Sequence, residues 1–224
     1  MILEVDNVEL NFDQTSILQG IYLKAEIQKV TCIIGRNGCG KSSLLKIIFG
    51  SLKAKYSLVR LNKNPITKKF FQTGLVNYLP QHHYIPKEVS VKKAFQLYSC
   101  SWEAFLKDFD SFLVHKNAKI NELSGGERRI IETYLVLQSK AKVLLLDEPF
   151  SNIAPLQIEK IKQIIQQQKE EKIIVLTDHF YEDVLEVADV LYAIHHKRSH
   201  LIKDENDLVN FGYLTSAQKA TIQQ

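Results

Sequence analysis

The sequence predicts an α/β fold with a mostly parallel sheet at its core, an N-terminal antiparallel β subdomain ahead of it, and an inserted α-helical subdomain. Three observations predict this. Residues 30–34, 143–146 and 172–176 are short, almost wholly apolar runs rich in branched side chains, the composition of strands buried on both faces in a parallel sheet covered by helices. Each is followed by sequence with helical spacing, the alternation that builds βα units. From His82 to about Lys119 the pattern becomes helical, and the apolar strand pattern resumes only at Val143.

At the N-terminus, residues 2–10 and 17–27 read as strands. In the second, Ile21, Leu23, Ala25 and Ile27 alternate with Tyr22, Lys24 and Glu26, the period of a half-buried sheet. Asn11-Phe12-Asp13 falls between them as a turn, where an aromatic ring serves either as a hydrophobic plug or as a platform for a planar base. The strand at 30–34 runs into Gly35-Arg36-Asn37-Gly38-Cys39-Gly40-Lys41-Ser42, and the helix-patterned 44–49 closes at Gly50. Gly, four residues, then Gly-Lys-Ser between a strand and a helix is the P-loop spacing. Its chemistry is that of polyphosphate binding: the glycines let backbone N–H groups curl around phosphate oxygens, the helix N-terminus adds partial positive charge, and Lys41 points at the β- and γ-phosphates. Ser42 is placed to ligate Mg²⁺. Cys39 lies beside a helix N-terminus and near Lys41, both of which favour thiolate, so a reactive thiol is expected there.

Further on, 58–61 and 75–79 read as strands, the second stopped by Pro80-Gln81. Residues 91–98 and 102–109 read as helices. Leu123-Ser124-Gly125-Gly126-Glu127 opens another helix, with Ser124 as N-cap and Glu127 three residues on, a capping box. The apolar strand at 143 ends in Asp147-Glu148-Pro149. A helix over 155–169 starts with Pro155 in its first turn and is expected to turn Leu156, Ile158, Ile161, Ile164 and Ile165 to the core. The strand over 172–176 ends in Thr177-Asp178-His179, a helix over 181–187 and a strand over 190–194 follow, and the remainder reads as a short strand plus small helices. His195-His196-Lys197-Arg198 reads as a polar hairpin tip rather than a metal site, because no cysteine or carboxylate cluster accompanies the histidines.

Composition narrows the class. The chain has 224 residues, 45% hydrophobic and 24% charged, with a net charge of +4, which is ordinary for a globular protein. The basic residues are scattered, so no nucleic acid is expected as a partner. Three widely spaced cysteines indicate neither a disulfide framework nor a zinc site. No run approaches the ~18 apolar residues of a membrane span, and the chain opens without a signal-peptide pattern. A cytoplasmic location is expected.

Taken in order, the P-loop, Pro80-Gln81, Leu-Ser-Gly-Gly-Glu, Asp147-Glu148-Pro149 and Thr177-Asp178-His179 resemble the ATP-binding cassette ATPases over about residues 3–195. The resemblance implies a single domain, with a P-loop NTPase core at about 1–81 and 141–224 and a helical subdomain at about 82–140. It implies Mg²⁺-dependent hydrolysis of ATP. Nucleotide contact is assigned to Phe12, Gly35, Arg36, Asn37, Gly38, Cys39, Gly40, Lys41, Ser42 and Ser43, with Phe12 stacking on adenine. Ser42, Gln81 and Asp147 are assigned to Mg²⁺, Glu148 to the general base, and His179 to the γ-phosphate. Lys41 and Gln81 are counted with the catalytic set. Ser124, Gly125, Gly126 and Glu127 are expected to grip the nucleotide of an opposite subunit, in a head-to-tail homodimer or a pair with a similar ATPase.

The transporter branch of the family further implies separate integral membrane subunits, with this chain peripheral on the inner face of the membrane. The segment His82-His83-Tyr84-Ile85-Pro86, with the helix from Val91, is expected to form the docking groove. The rival readings are a soluble member, for iron–sulfur assembly or DNA maintenance, and a weakly hydrolysing regulatory module. Two positions depart from the family pattern. Ala154 stands where an acid usually precedes Pro155, which puts communication between two sites in doubt, although Ala-Pro resembles the branched-chain amino acid importer ATPases. Ile130 replaces a frequent arginine.

Overall fold

The computed structural model describes residues 1–179 and 181–213. Strands β1 (Ile2–Phe12) and β2 (Thr15–Glu26) form an antiparallel hairpin. Next come β3 (Val30–Ile34), α1 (Lys41–Phe49), β4 (Tyr56–Leu61), β5 (Asn64–Pro65) and β6 (Val76–Leu79). The inserted helices are α2 (Val91–Tyr98), α3 (Trp102–Asp108) and α4 (Gly125–Leu137). The chain then returns through β7 (Val143–Asp147), α5 (Pro155–Gln168), β8 (Ile173–Thr177), α6 (Tyr181–Val187), β9 (Val190–His195), β10 (Arg198–Ile202) and α7 (Glu205–Asn210).

Two sheets result. The first is antiparallel, in the order β2-β1-β4-β5, and the second runs β10-β9-β3-β8-β7-β6. Within the second, β9, β3, β8, β7 and β6 are parallel, and only β10 pairs antiparallel at the edge. The all-apolar strands explain themselves here, because β7 and β8 are buried at every position. Alternate residues serve different cores. Val143, Leu145, Ile173 and Val175 join α1 and the first sheet in one cluster. Leu144, Leu146, Ile174 and Leu176 face the helices in the other.

The inserted helices pack on an aromatic nest. Phe105 is fully buried, with ring centroids 4.8 Å from Tyr134, 4.9 Å from Phe109, 5.1 Å from Phe95 and 5.2 Å from Phe112. Edge-to-face and offset contacts of this kind add to the burial of area.

Local readings hold with specific adjustments. The first hairpin turns at Asp13 and Gln14, so Phe12 closes β1, paired with Thr15, instead of sitting in the turn. Helix α5 buries Ile158, Ile161, Ile164 and Ile165, but Leu156 is 70% exposed. At 100° per residue Leu156 lies on the far side from the Ile158–Ile161–Ile165 stripe, so helix geometry overrides its hydrophobicity. The histidine tip is a two-residue turn, with His196 and Lys197 both at positive φ between paired His195 and Arg198. The expected small helices of the last thirty residues resolve to α7; residues 214–224 lie outside the described residues.

Truncating the aromatic nest should be costly. Phe105→Ala is expected to lower unfolding stability by about 3–5 kcal/mol, read from urea unfolding followed by circular dichroism. A loss below about 1 kcal/mol would mean the nest relaxes to fill the gap.

Candidate functional site

The strand order β3-β8-β7-β6 brings the carboxyl ends of four parallel strands side by side at one edge of the sheet. Each end carries residues singled out from sequence: Gly35 after β3, His179 after β8, Asp147 and Glu148 at β7, and Gln81 after β6. Ligands in open α/β sheets bind at this edge. A cavity of about 630 Å³ opens there, with Asn37, Gly38, Gly40, Lys41, Ser42 and Ser43 as its floor, Gln81, Glu148 and His179 on one side, and Phe12 with Ile17 on the other.

The loop's shape depends on its glycines and its lysine. Gly40 precedes α1 at φ +104°, and a Cβ there would stand 2.7 Å from Leu18 Cδ2, so only glycine fits. Lys41 is buried and donates from Nζ to Gly35 O at 2.6 Å. The ammonium is thereby held inside the curl, facing the cavity, where a polyphosphate can take over its bonds.

Beneath the floor lies Asp147, fully buried. Ser42 Oγ donates to its Oδ1 at 3.0 Å, Thr177 Oγ1 to the same oxygen at 2.7 Å, and Tyr78 OH to Oδ2 at 3.0 Å. Hydroxyl and carboxylate oxygens at a helix N-terminus are the donor class a hard divalent cation selects, so Mg²⁺ fits this set. Burial, and then the Asp147 carboxylate, push the Tyr78 phenol far up, which keeps it a donor.

Glu148 is the next residue, and its backbone is left-handed at φ +54°. Its N–H donates to Thr177 O at 2.7 Å. Its Oε2 accepts from Gln81 Nε2 at 3.0 Å and from Ser151 Oγ at 3.2 Å, and lies 3.4 Å from His179 Nδ1. One carboxylate oxygen therefore meets groups from three different loops. Sparsely populated backbone of this kind persists only where its surroundings over-determine it. Part of that support is Arg129 of α4, whose guanidinium donates to Pro80 O at 2.7 Å, to Glu148 O at 2.9 Å and to Asp147 O. Burial lowers the Arg129 pKa, while neighbouring carboxylates oppose that shift.

The helix at Ser124 has the expected capping box. Glu127 N–H donates to Ser124 Oγ at 3.3 Å, while Glu127 Oε2 accepts from Ser124 N–H at 2.8 Å and from Ser124 Oγ at 2.7 Å. Those bonds lower the Glu127 pKa. Gly126 packs so closely that a Cβ there would stand 2.4 Å from Asn152 O. Ser124, Gly125, Gly126 and Glu127 do not line the cavity.

Of the sequence-assigned residues, Phe12, Asn37, Gly38, Gly40, Lys41, Ser42, Ser43, Gln81, Glu148 and His179 share the cavity, and Asp147 reaches it through Ser42. Gly35, Arg36 and Cys39 belong to the loop without lining the cavity. Tyr78, Ser151 and Arg129 are additions outside the quoted motifs, and Thr177 opens the Thr177-Asp178-His179 motif without having been assigned a contact; register and long-range packing bring all four in.

Two expectations are corrected. Cys39 turns its sulfur inward, so that a Cβ on Gly35 would stand 2.3 Å from it. Burial pushes the thiol up, outweighing the opposite pull of Lys41. It is therefore not the reactive thiolate expected from its place beside a helix N-terminus. Part of the segment 82–86 also turns inward. Ile85 is buried and Tyr84 packs against Tyr98. Glu132 of α4, fully buried, accepts from the N–H groups of Tyr84 and Ile85 at 3.0 and 3.2 Å. Ile85 and the ring of Tyr84 serve the loop's own packing, while His82, His83 and Pro86 remain on the surface.

With this geometry in place, the comparisons are direct. The chain matches the ABC transporter family profile over residues 18–151 and belongs to that family. It is 29% identical to a putative ABC transporter ATP-binding protein of Bacillus cereus over 84% of this chain. It is 28% identical, over 86% of both chains, to a probable branched-chain amino acid transport ATP-binding protein of Methanocaldococcus jannaschii. A solved putative ABC transporter ATP-binding protein from Pyrococcus furiosus superposes with a TM-score of 0.73 and 27% identity, covering 87% of this chain and 98% of that one. Length agreement varies: the chain spans 37% and 44% of two curated relatives that it matches, the Bacillus cereus protein and an arabinose import ATP-binding protein of Mannheimia succiniciproducens.

The thiol makes a prediction. At neutral pH native Cys39 should react with a maleimide roughly tenfold or more slowly than in the unfolded chain, because burial suppresses thiolate. Peptide mapping of labelled protein reads this; fast labelling of Cys39 blocked by ATP would restore the reactive-thiol reading.

Proposed function

We propose that the protein is the ATP-binding and ATP-hydrolysing subunit of an ABC transporter, working as a head-to-tail pair and driving separate membrane subunits. One observation carries the reading: a single cavity gathers the Lys41 ammonium, the Ser42–Asp147 oxygen pair and a Glu148 carboxylate flanked by Gln81 and His179.

In this reading Phe12, about half exposed, stacks on the adenine, and the amides of Asn37 to Ser43 and Lys41 hold the phosphates. Ser42 and Asp147 would hold Mg²⁺, which supplies neutralisation of charge on the β- and γ-phosphate oxygens. Glu148 takes a proton from the attacking water while Gln81, already bonded to the same carboxylate, helps fix that water's position. His179 meets the γ-phosphate. Its proximity to Glu148 ties phosphate contact to base orientation.

The α4 N-terminus has its free amides on Gly125 and Gly126 outside the cavity, and this supports a composite site. A second copy, turned about a twofold axis, would present its Ser124–Gly126 end to the γ-phosphate held by the first. Ala154, which caps α5 without a side-chain bond, offers no acid to that interface. No described helix is long and apolar enough to cross a membrane; in this reading separate subunits supply the membrane-spanning part. Leu97 on α2, with Leu113 and Val114 in the 3-10 turn that follows α3, are each more than 60% exposed and suit cover by such a partner. In this reading the chain sits on the cytoplasmic face of the membrane through its partner.

Glu148→Gln tests the chemistry. It should keep ATP bound while hydrolysis falls about a hundredfold or more, the loss of roughly 3–4 kcal/mol of transition-state stabilisation; unchanged turnover would sink the general-base role. The same variant should dimerise with Mg-ATP and not with ADP, which lacks the bridging γ-phosphate. Light scattering that shows a monomer in both nucleotides would refute the composite site.

A further inference from the structure

Asp147 is the most enclosed charged group of the site, and the groups that hold it come from three separate elements. Ser42 belongs to α1, Thr177 to β8 and Tyr78 to β6. Their roles cannot be equal once a cation sits between Ser42 and Asp147. Ser42 would then offer an oxygen lone pair to the ion while still able to donate its proton to Oδ1, whereas the other two groups touch only the carboxylate. Thr177 and Tyr78 remain. Thr177 keeps one carboxylate oxygen, and among the described residues Tyr78 is the side-chain donor to the other.

Tyr78 is well braced for this. Its ring centroid is 5.4 Å from that of Phe49 at the end of α1. Strand β6 fixes its height, with Tyr78 level with Leu145 of β7 two residues before Asp147. The hydroxyl reaches along the strand to Oδ2. Two residues on from Tyr78 is Pro80, whose carbonyl accepts from Arg129, so the strand end is also fixed from the other side.

We infer that Tyr78 is a positioning residue for the metal: its hydroxyl fixes the rotation of the Asp147 carboxylate so that Oδ1 faces Ser42 and a Mg²⁺ ion between them. The inference rests on the proposed assignment of Mg²⁺ to Ser42 and Asp147. Without the Tyr78 hydroxyl the carboxylate keeps its charge and its Thr177 bond at Oδ1, but no described side chain then anchors Oδ2 and rotation about the Cβ–Cγ bond is less constrained. Groups that orient a metal ligand in this way typically contribute a factor of about 10–100 in metal affinity. Thr177, donating to Oδ1, acts in the same sense from the opposite strand.

The test uses the full-length protein and the non-hydrolysable β,γ-imido analogue of ATP, so hydrolysis does not enter. Analogue affinity is measured in EDTA and in saturating Mg²⁺, and their ratio is the metal-linked tightening. Tyr78→Phe keeps the ring against Phe49 and removes only the hydroxyl. It should bind the analogue in EDTA within about twofold of wild type yet lose roughly tenfold of the tightening. Thr177→Val should lose tightening in the same direction. Equal tightening in wild type and Tyr78→Phe overturns the inference while leaving the metal assignment standing. Weaker binding of Tyr78→Phe in EDTA overturns it too, because the role would then be structural. If wild type itself gains nothing from Mg²⁺, the assignment of Ser42 and Asp147 falls, and the inference falls with it.

Discussion

A fully buried carboxylate at the end of a strand with no exposed face is the constraint on which the rest of the site depends. Asp147 has no access to water, and a charge in that position is tolerable only with strong donors on its oxygens. Three hydroxyls supply them, from α1, β6 and β8. Satisfying that single group fixes how high β6 and β8 stand beside β7 and where the first turn of α1 sits. The same register then determines which residues leave each strand at the sheet edge, and so which groups meet in the cavity.

The inserted helices are tied to that edge by buried charge as much as by apolar packing. Arg129 reaches three carbonyls around Gln81 and Glu148. One turn on, Glu132 receives the N–H groups of Tyr84 and Ile85, lies 2.8 Å from His83 Nδ1, and pairs with Arg128. Arg128 in turn donates to Ile85 O at 2.6 Å. The helix that begins at Ser124 is thus bonded to both flanks of Gln81. Displacing Gln81 relative to α4 would leave buried donors and acceptors unpaired, which costs more than the bonds themselves contribute.

A second acidic group shows how context decides the meaning of a cluster. Glu159, Asp183 and Glu186 come together closely enough to suggest a cation site. Lys162 already fills it, with its ammonium 2.7 Å from Asp183 and 2.8 Å from Glu159. The three carboxylates hold the Lys162 charge up despite its burial. That network joins α5 to α6.

Much of this was legible in the chain. Apolar runs such as 143–146 can be buried only on both sides, so the parallel sheet followed from composition. The glycine spacing of 35–42, the capping box at Ser124 and the carboxylates at 147–148 are local patterns, readable because their chemistry depends on neighbours in sequence. Leu156 was misplaced because hydrophobicity was weighed without helix angle. Cys39 was misjudged for a different reason: charge proximity is visible in sequence, whereas desolvation depends on what the fold lays over the sulfur. Tyr84 and Ile85 turned inward because buried Glu132, some fifty residues away, needed their N–H groups. Tyr78 and Arg129 bear no motif, and the motif at Thr177 does not reveal its bond to Asp147, since these contacts are set by strand register and helix packing. Local sequence determined which groups could do the chemistry; the tertiary structure decided which groups hold them, because burial and long-range hydrogen bonds exist only after the strands have paired.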